Sequence, residues 1–443
     1  MSGTDGIGPE AVPARATRAG EIQRRWSWIE PTIWTERMLT ALDEGVKGGK
    51  WYSLIDKVSA AAPLRAAFKE VSANRGAAGV DHVTIEQFGD DLDANLERLS
   101  EELRTGRYRA QPIRRHWIPK PGSQEKRPLG IPTVRDRVVQ TALRMGLAPI
   151  FEKDFAAHSY GFRPGRGCKA ALRRVDELLK AGYVHVVDAD LKSYFDTIPH
   201  DRLLACVGRK VTDGRLLRLL EGFLKQRIMG DAGGWTPEEG TPQGAVVSPL
   251  LSNIYLDPLD HLMADRGFAM VRYADDFVVL CRSPQEAHAA LAEVQRWTAQ
   301  AGLTLHPTKT RLVDAMEDGF DFLGYRFAGG QRRPRAKSLK KLKDTIRTKT
   351  KRTAGHSLSA IIADINRTLR GWFEYFKHSH RSTFPPLDGW IRRRLRNILR
   401  KQHGRSGIAR RGDNLRWPNA YFAKHGFFSL REAHAQARQS SCR

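Results

Sequence analysis

Cysteine is scarce. Cys168, Cys206, Cys281 and Cys442 lie far apart in 443 residues, and no Cys-x-x-C pair occurs. This excludes a disulfide framework and a cysteine-rich zinc module. No apolar run reaches the length of a membrane span, and Asp5, Pro9 and Glu10 interrupt the N-terminus. Membrane insertion and secretion are therefore disfavoured. Internal repeats and low-complexity tracts are absent. Acidic residues are rare in the last quarter: residues 331–443 carry six, against 29 Lys and Arg. The first 330 residues are nearly balanced, with 43 acids against 45 bases, so almost the whole excess of +25 sits in the tail. Such a balance rules out an acidic, partner-solvating chain and points to a polyanionic partner. The length suits about three ordinary domains.

A basic tail is often a solvated arm. This one also carries apolar residues at helical intervals: Ile361, Ile362, Ile365, Leu369, Trp372, Phe373 and Phe376, then Leu387, Trp390, Ile391, Leu395, Ile398 and Leu399. Phe384-Pro385-Pro386 separates the two runs. The pattern predicts a folded helical module with a basic outer face. Aromatic rings among arginines suit nucleic acid, because rings and guanidinium planes stack on bases while the charges pair with phosphates.

Upstream, strands alternate with helices. Residues 1–30 hold turn formers and mixed charge and are expected to be poorly ordered. A helix is predicted near 84–104, a strand over 113–118, a basic hairpin tip over Pro119–Arg127, and a helix over 133–150. Val184, Val186 and Val187 mark a strand that ends at Asp190. Phe268–Tyr273 and Phe277–Cys281 read as a β-hairpin with Ala274-Asp275-Asp276 at its turn. Ser283, Pro284 and Glu286 open a helix as cap, first residue and capping-box acid, and Gly302 closes it. The class is α+β, with the basic helical module appended.

Tyr273-Ala274-Asp275-Asp276 alone is ordinary turn chemistry, since Asp bonds its local backbone. Stiff apolar flanks change the reading. Adjacent carboxylates held between buried strands repel each other, a cost tolerated for a cation. Hard oxygen donors without His or Cys favour Mg²⁺ over zinc. Asp190 closes a second acidic segment, Asp188-Ala189-Asp190, and Gly240-Thr241-Pro242-Gln243-Gly244 forms a tight turn.

Together these segments resemble the motifs of reverse transcriptases, and specifically the reverse transcriptase/maturases encoded by bacterial group II introns. The resemblance runs from about Trp51 to Ala435. In order, it passes through Asn74-Arg75-Gly76, Ile118-Pro119-Lys120-Pro121, Arg127–Pro132, Ser159–Pro164, the Asp190 segment, Pro242-Gln243-Gly244, Asp275-Asp276, Gly302–Thr310 and Phe322-Leu323-Gly324-Tyr325. Gly371-Trp372-Phe373-Glu374-Tyr375-Phe376 resembles the signature of the family's maturase domain.

The resemblance implies a right-hand polymerase followed by an all-α thumb. An N-terminal extension would span 1–50, fingers 51–182, palm 183–330, thumb/maturase 331–410 and a short basic DNA-binding segment 411–443. It implies that Asp190, Asp275 and Asp276, with the Leu191 carbonyl, hold two Mg²⁺ ions. Lys120 and Arg127 would clasp the incoming dNTP, Phe195 would reject a ribose 2′-hydroxyl, and Gln243 would line the nucleotide site. Intron RNA, a DNA primer and a DNA target are the implied partners, with Arg392, Arg393, Arg394, Arg396 and Arg400 as an RNA-binding stripe. A bacterial cytoplasmic location, near the nucleoid, is expected.

Two alternatives stay open: a reverse transcriptase recruited to another role such as phage defence, and a splicing factor that binds RNA without polymerising. Departures from the family pattern are few. The Lys120–Arg127 tip is one residue longer, and Ala245 stands where a second glycine is usual. Without paired cysteines or a His-Asn-His pattern, the endonuclease domain of some relatives is expected to be absent. Cys442, His378 and His380 read as surface residues.

Overall fold

A computed structural model describes residues 21, 22, 24–119, 126–230, 233–353 and 355–441. Three sheets organise it. The first, ordered β2-β1-β4-β5, contains β1 (Ile113–Pro119), β2 (Lys126–Ile131), β4 (Ile228–Gly230) and β5 (Gly233–Trp235). The second, β6-β7-β3-β8, contains β3 (His185–Asp190), β6 (Ala269–Tyr273), β7 (Asp276–Cys281) and β8 (Arg311–Asp314). The third, β11-β10-β9, contains β9 (Phe320–Phe322), β10 (Tyr325–Ala328) and β11 (Gln331–Pro334). The strands of the second sheet pair antiparallel throughout.

One large core joins the second sheet to the helices around it, from Trp26 through Val138, Leu143, Leu251 and Val279 to Leu303. Helix Val134–Glu152 runs through it, buried on nearly every side. The expected helix over 84–104 is two helices, Ile85–Asp90 and Leu92–Thr105, because Asp91 leaves helical geometry at φ −115°, ψ 43°. Ser283 caps helix Pro284–Gln300 as its sequence demands, accepting from the Glu286 N–H at 3.1 Å.

The N-terminal expectation needs correction from residue 21 onward. Trp26, Ile29, Ile33 and Trp34 are buried in the main core, and the Trp34 indole donates to the Met145 carbonyl at 3.1 Å. Four large apolar side chains in nine residues supply enough burial to hold a short segment, at about 1.5–3 kcal/mol each.

Helices Ala336–Lys349, Leu358–Phe376 and Phe384–Gln402 form a second core around Ile346, Ile365, Leu369, Phe373, Ile391 and Leu395. Pro385 and Pro386 occupy the first turn of the last of these, where their missing N–H groups cost nothing. The segment after 410 is not set apart from this module. Trp417, Phe422, Phe427 and Leu430 belong to the same core, and Asp388 accepts the backbone N–H groups of Leu430 and Arg431 at 3.0 Å each.

The helical module is locked to the sheets through the Gly371–Phe376 signature. The Tyr375 hydroxyl donates to the Leu323 carbonyl at 2.7 Å, and the Tyr325 hydroxyl donates to the Tyr375 carbonyl at 2.5 Å. Lys169 pairs with Glu374 at 2.8 Å, and Arg332 on β11 joins Asp176 at 2.6 Å to the His378 carbonyl at 2.9 Å. Among the described residues no helix is long and apolar enough to cross a membrane.

Candidate active site

The two acidic segments meet edge to edge. In the β3–β7 ladder Asp190 stands directly opposite Asp276, and in the β6–β7 hairpin Tyr273 pairs with Asp276. Direct antiparallel partners have Cα atoms about 4.5–5.5 Å apart. Eighty-five residues of intervening chain therefore close into one acidic edge. The turn is the two residues Ala274-Asp275, with Ala274 left-handed at φ 59°. Such a hairpin needs a positive φ at its first turn position, and an alanine there pays about 1–2 kcal/mol.

Buried bonds hold that turn. Arg272 is fully buried and grips Asp260 with a fork at 2.8 and 3.0 Å. Its Nη1 donates to the Asn253 side-chain oxygen and to the Ala274 carbonyl, each at 2.9 Å. Asn253 in turn donates to the Gly161 carbonyl at 2.8 Å. Residues 158–160 extend along β6: Arg272 N–H donates to His158 O at 3.0 Å, and Tyr160 N–H to Arg272 O at 2.9 Å. Gly161 then passes so close to the turn that a Cβ there would lie 2.3 Å from the Ala274 nitrogen. Arg272, Asp260 and Asn253 are absent from the sequence-based set. The available signal was an arginine in an apolar strand, which burial forbids without a partner.

Electrostatics mark the edge as cation-seeking. Protein packed behind Asp276 strips its water from one side, although its outer face remains accessible. Asp275, Asp188 and Asp190 add repulsion, and together these push its pKa up to about 7. Asp275 is also raised, by desolvation first and by Asp190 next, with Arg127 opposing. Asp190 is 45% exposed and its Oδ2 accepts from Lys309 Nζ at 2.9 Å. Asp188, just behind, is bound by Arg311 at 3.0 and 3.1 Å. Among the described residues no three acidic, His or Cys side chains already converge on one point. The three aspartates share an edge rather than a closed cage, with Lys309 supplying counter-charge to Asp190.

Leu191 and Leu305 form an antiparallel bridge. Its flanking bonds run from Lys192 N–H to Thr304 O at 2.8 Å and from His306 N–H to Asp190 O at 2.7 Å. Leu191 therefore turns its own carbonyl to the other side, that of β7.

Phe195, Asp196, Gln243, Arg115 and Trp235 line a cavity of about 380 Å³. The Gln243 amide lies 3.4 Å from both Asp196 carboxylate oxygens, and the Gln243 carbonyl accepts from Gly130 N–H at 2.6 Å. Gly240 and Gly244 are the left-handed residues of this turn, at φ 88° and 108°, and a Cβ on Gly244 would strike the Gly130 oxygen at 2.4 Å. Ala245 needs no such freedom: it is buried and its N–H closes the turn onto Pro242 O at 3.1 Å. The alanine in the usual glycine position therefore fits without strain.

Comparison with known proteins agrees with this geometry. Residues 118–327 match the family model described as reverse transcriptase (RNA-dependent DNA polymerase), and residues 339–417 match that of the group II intron maturase-specific domain. The chain is 33% identical over 350 residues to protein YkfC of Escherichia coli K12, covering 69% of this chain and 87% of that one. This chain belongs to the group II intron reverse transcriptase/maturase family. It is also 36% identical over 196 residues to the group II intron-encoded protein LtrA of Lactococcus lactis, covering 44% of this chain and 32% of LtrA. An uncharacterised 91 kDa protein in the cob intron of Schizosaccharomyces pombe is 32% identical over 288 residues, covering 52% of this chain and 35% of that protein. The chain thus spans most of YkfC and about a third of these two intron-encoded relatives.

The remaining sequence-predicted positions of this reverse transcriptase/maturase divide unevenly. Lys120 lies outside the described residues. Arg127 is exposed on β2, paired in register with Ile118, and its charge reaches Asp275. Of the five-arginine stripe, three are committed inside the module. Arg394 donates to the Thr350 hydroxyl at 2.6 Å, Arg396 to the Trp417 carbonyl at 2.9 Å, and Arg400 to Asp413 at 2.9 Å. These arginines cap helix ends and anchor the 411–417 segment. Arg393 is exposed, and Arg392 is half-buried near the Phe427 ring.

Proposed function

We propose that this chain copies group II intron RNA into DNA and binds that RNA to assist its splicing and retrohoming to a DNA target. The observation that carries the reading is the register of Asp190 against Asp276 at the end of the β3–β7 ladder. The donor set fits a hard divalent cation: three carboxylates, two of them with raised pKa values, and a main-chain carbonyl. Asp190, Asp275, Asp276 and the Leu191 carbonyl would hold two Mg²⁺ ions, which supply an acidified primer 3′-hydroxyl and charge relief on the triphosphate. Arg272 keeps the Ala274-Asp275 turn in place. Arg127 binds the dNTP phosphates by charge-assisted bonds, with Lys120 as its partner in that role. Phe195 excludes the ribose 2′-hydroxyl, and Gln243 holds the floor beside it. On this reading 51–182 are fingers, 183–330 palm and 331–441 a thumb that also meets intron RNA, with Arg392 and Arg393 on its basic face.

The test is primer extension on an RNA template with dNTPs and Mg²⁺. The wild-type chain extends the primer, and Asp275→Asn loses orders of magnitude in rate. Splicing of the cognate intron survives Asp275→Asn. Joint loss of both activities would refute separable roles, and a well-folded chain that makes no DNA would refute the polymerase assignment.

A further inference from the structure

Helix Val134–Glu152 carries two wholly buried polar side chains about one turn apart, Asp136 and Gln140, which therefore share a face. Each reaches out of the helix to another element. Asp136 accepts from the Tyr108 hydroxyl, from Gln111 N–H at 3.0 Å and from the Gln226 amide at 3.0 Å. Gln111 leads into β1 and Gln226 into β4. This carboxylate therefore fixes the helix against the sheet that carries Arg127.

Gln140 reaches the turn that holds Gln243. Its Oε1 accepts from Val246 N–H at 2.8 Å, and that N–H has no backbone acceptor among the described residues. The start of the turn is tied to the Phe195 segment: Thr241 N–H donates to Phe195 O at 2.6 Å, and Gly240 N–H to Ile198 O at 2.8 Å. Its middle is tied to β2, where Gly130 N–H meets the Gln243 carbonyl. Gln140 ties its end. The rest of the amide has no use in this place, because its Nε2 is buried without a partner. A buried donor without an acceptor is costly, so the position suits glutamine for its oxygen alone. Leucine or methionine would fill the same core without that cost, but would leave Val246 untied.

We propose that Gln140 is a positioning residue for nucleotide selection: through Val246 it sets where Gln243 and Phe195 stand against the incoming dNTP. The proposal rests on the polymerase reading and deepens it. The acidic edge belongs to β3 and the β6–β7 hairpin, so slack at Val246 leaves the carboxylates in register. Loss of the Gln140 bond then acts on which nucleotide is held and how tightly, and spares the chemical step. Sugar selection loosens with it, because Thr241 and Phe195 share a backbone bond.

The experiment uses the full chain, an RNA template, a DNA primer, Mg²⁺, and dNTPs or rNTPs. Q140M keeps the volume and removes the acceptor. It raises KM for dNTP about 3- to 10-fold, the worth of one hydrogen bond, and raises ribonucleotide incorporation relative to deoxynucleotide. Its kcat and its KM for primer stay within about twofold of the wild type, smaller than the worth of that bond. Its urea midpoint moves little, since the orphaned Nε2 disappears together with the bond. Hydrogen exchange at the Val246 amide speeds up. Q140E restores KM for dNTP, because a buried carboxyl stays protonated and offers the same carbonyl to Val246. If Q140M fails to fold, Q140N, one methylene short of Val246, must show the same rise in KM for dNTP. The proposal is overturned if KM for dNTP and sugar selectivity are both unmoved, or if Q140E does no better than Q140M. It is equally overturned if the whole defect lies in kcat and follows the loss of folded protein. A wild-type chain that extends no primer at all refutes the polymerase reading itself and this proposal with it.

Discussion

The Arg272–Asp260 pair separates holding the fold together from holding the active site in shape. Both side chains are wholly inaccessible. Arg272→Met strands the Asp260 carboxylate in a dry site, and breaking a buried pair from one side costs about 3–5 kcal/mol. That is a large part of the roughly 5–15 kcal/mol by which native proteins are stable. Adding Asp260→Leu removes the stranded charge, and replacing both partners by apolar residues is often neutral or even stabilising. Stability should therefore return in the double variant, read as the midpoint of urea unfolding. Activity should not. The Ala274 carbonyl and the Asn253 oxygen still lack the donor that Arg272 supplied at 2.9 Å, so the left-handed turn bearing Asp275 stays loose. Primer extension by the double variant should remain at least about tenfold low, the worth of one good hydrogen bond in positioning. Recovery of stability and activity together would show that the clamp only stabilises, and a single variant losing less than about 1 kcal/mol would remove the premise.

Gly161→Ala places a methyl carbon 2.3 Å from a backbone nitrogen that cannot yield. It should cost about 1–3 kcal/mol and most of the extension rate, and wild-type activity would show that the 161–274 contact is slack. Asp276, raised from 3.8 to about 7, makes the folded chain without metal bind more protons than the unfolded chain between these values. Its stabilising contribution is thus present below about pH 4 and is lost as pH rises through about 7. Asp276→Asn should flatten this part of the profile in thermal unfolding with chelator, and a superimposable profile would contradict the assignment. Protons and cations compete for the same oxygens, so the Mg²⁺ concentration for half-maximal extension should rise below pH 7. Phe195→Val should raise ribonucleotide incorporation relative to deoxynucleotide, and unchanged sugar selectivity would remove Phe195 from the gate.

Local signals in the sequence were strong where chemistry and backbone coincide. The Asp-Asp turn between apolar strands, the Ser283 cap and the helical spacing of Ile361 through Phe376 are each written within a few residues. The pairing of Asp190 with Asp276 is a register between distant strands, and only the family resemblance made it readable. The inward arginines eluded sequence reading for a related reason. Arg394, Arg396 and Arg400 look like surface charge beside Arg392 and Arg393, yet helical geometry turns them towards Thr350, Trp417 and Asp413. Composition counts charges without saying which way they face. The N-terminal 26–34 segment shows the converse: scattered Trp and Ile residues lack a period, but the core accepts all four.

The joint made by the side chains of Lys169, Asp176, Tyr325, Arg332, Glu374 and Tyr375 bears on how such chains can be recombined. Because the maturase signature is bolted to the sheets by its own side chains, the boundary near residue 330 is no seam for cutting. A hybrid that took its helices from one relative and its catalytic half from another would inherit mismatched bolts, and the turn beside the acidic edge would drift. Donor and recipient would have to exchange these six positions as a set.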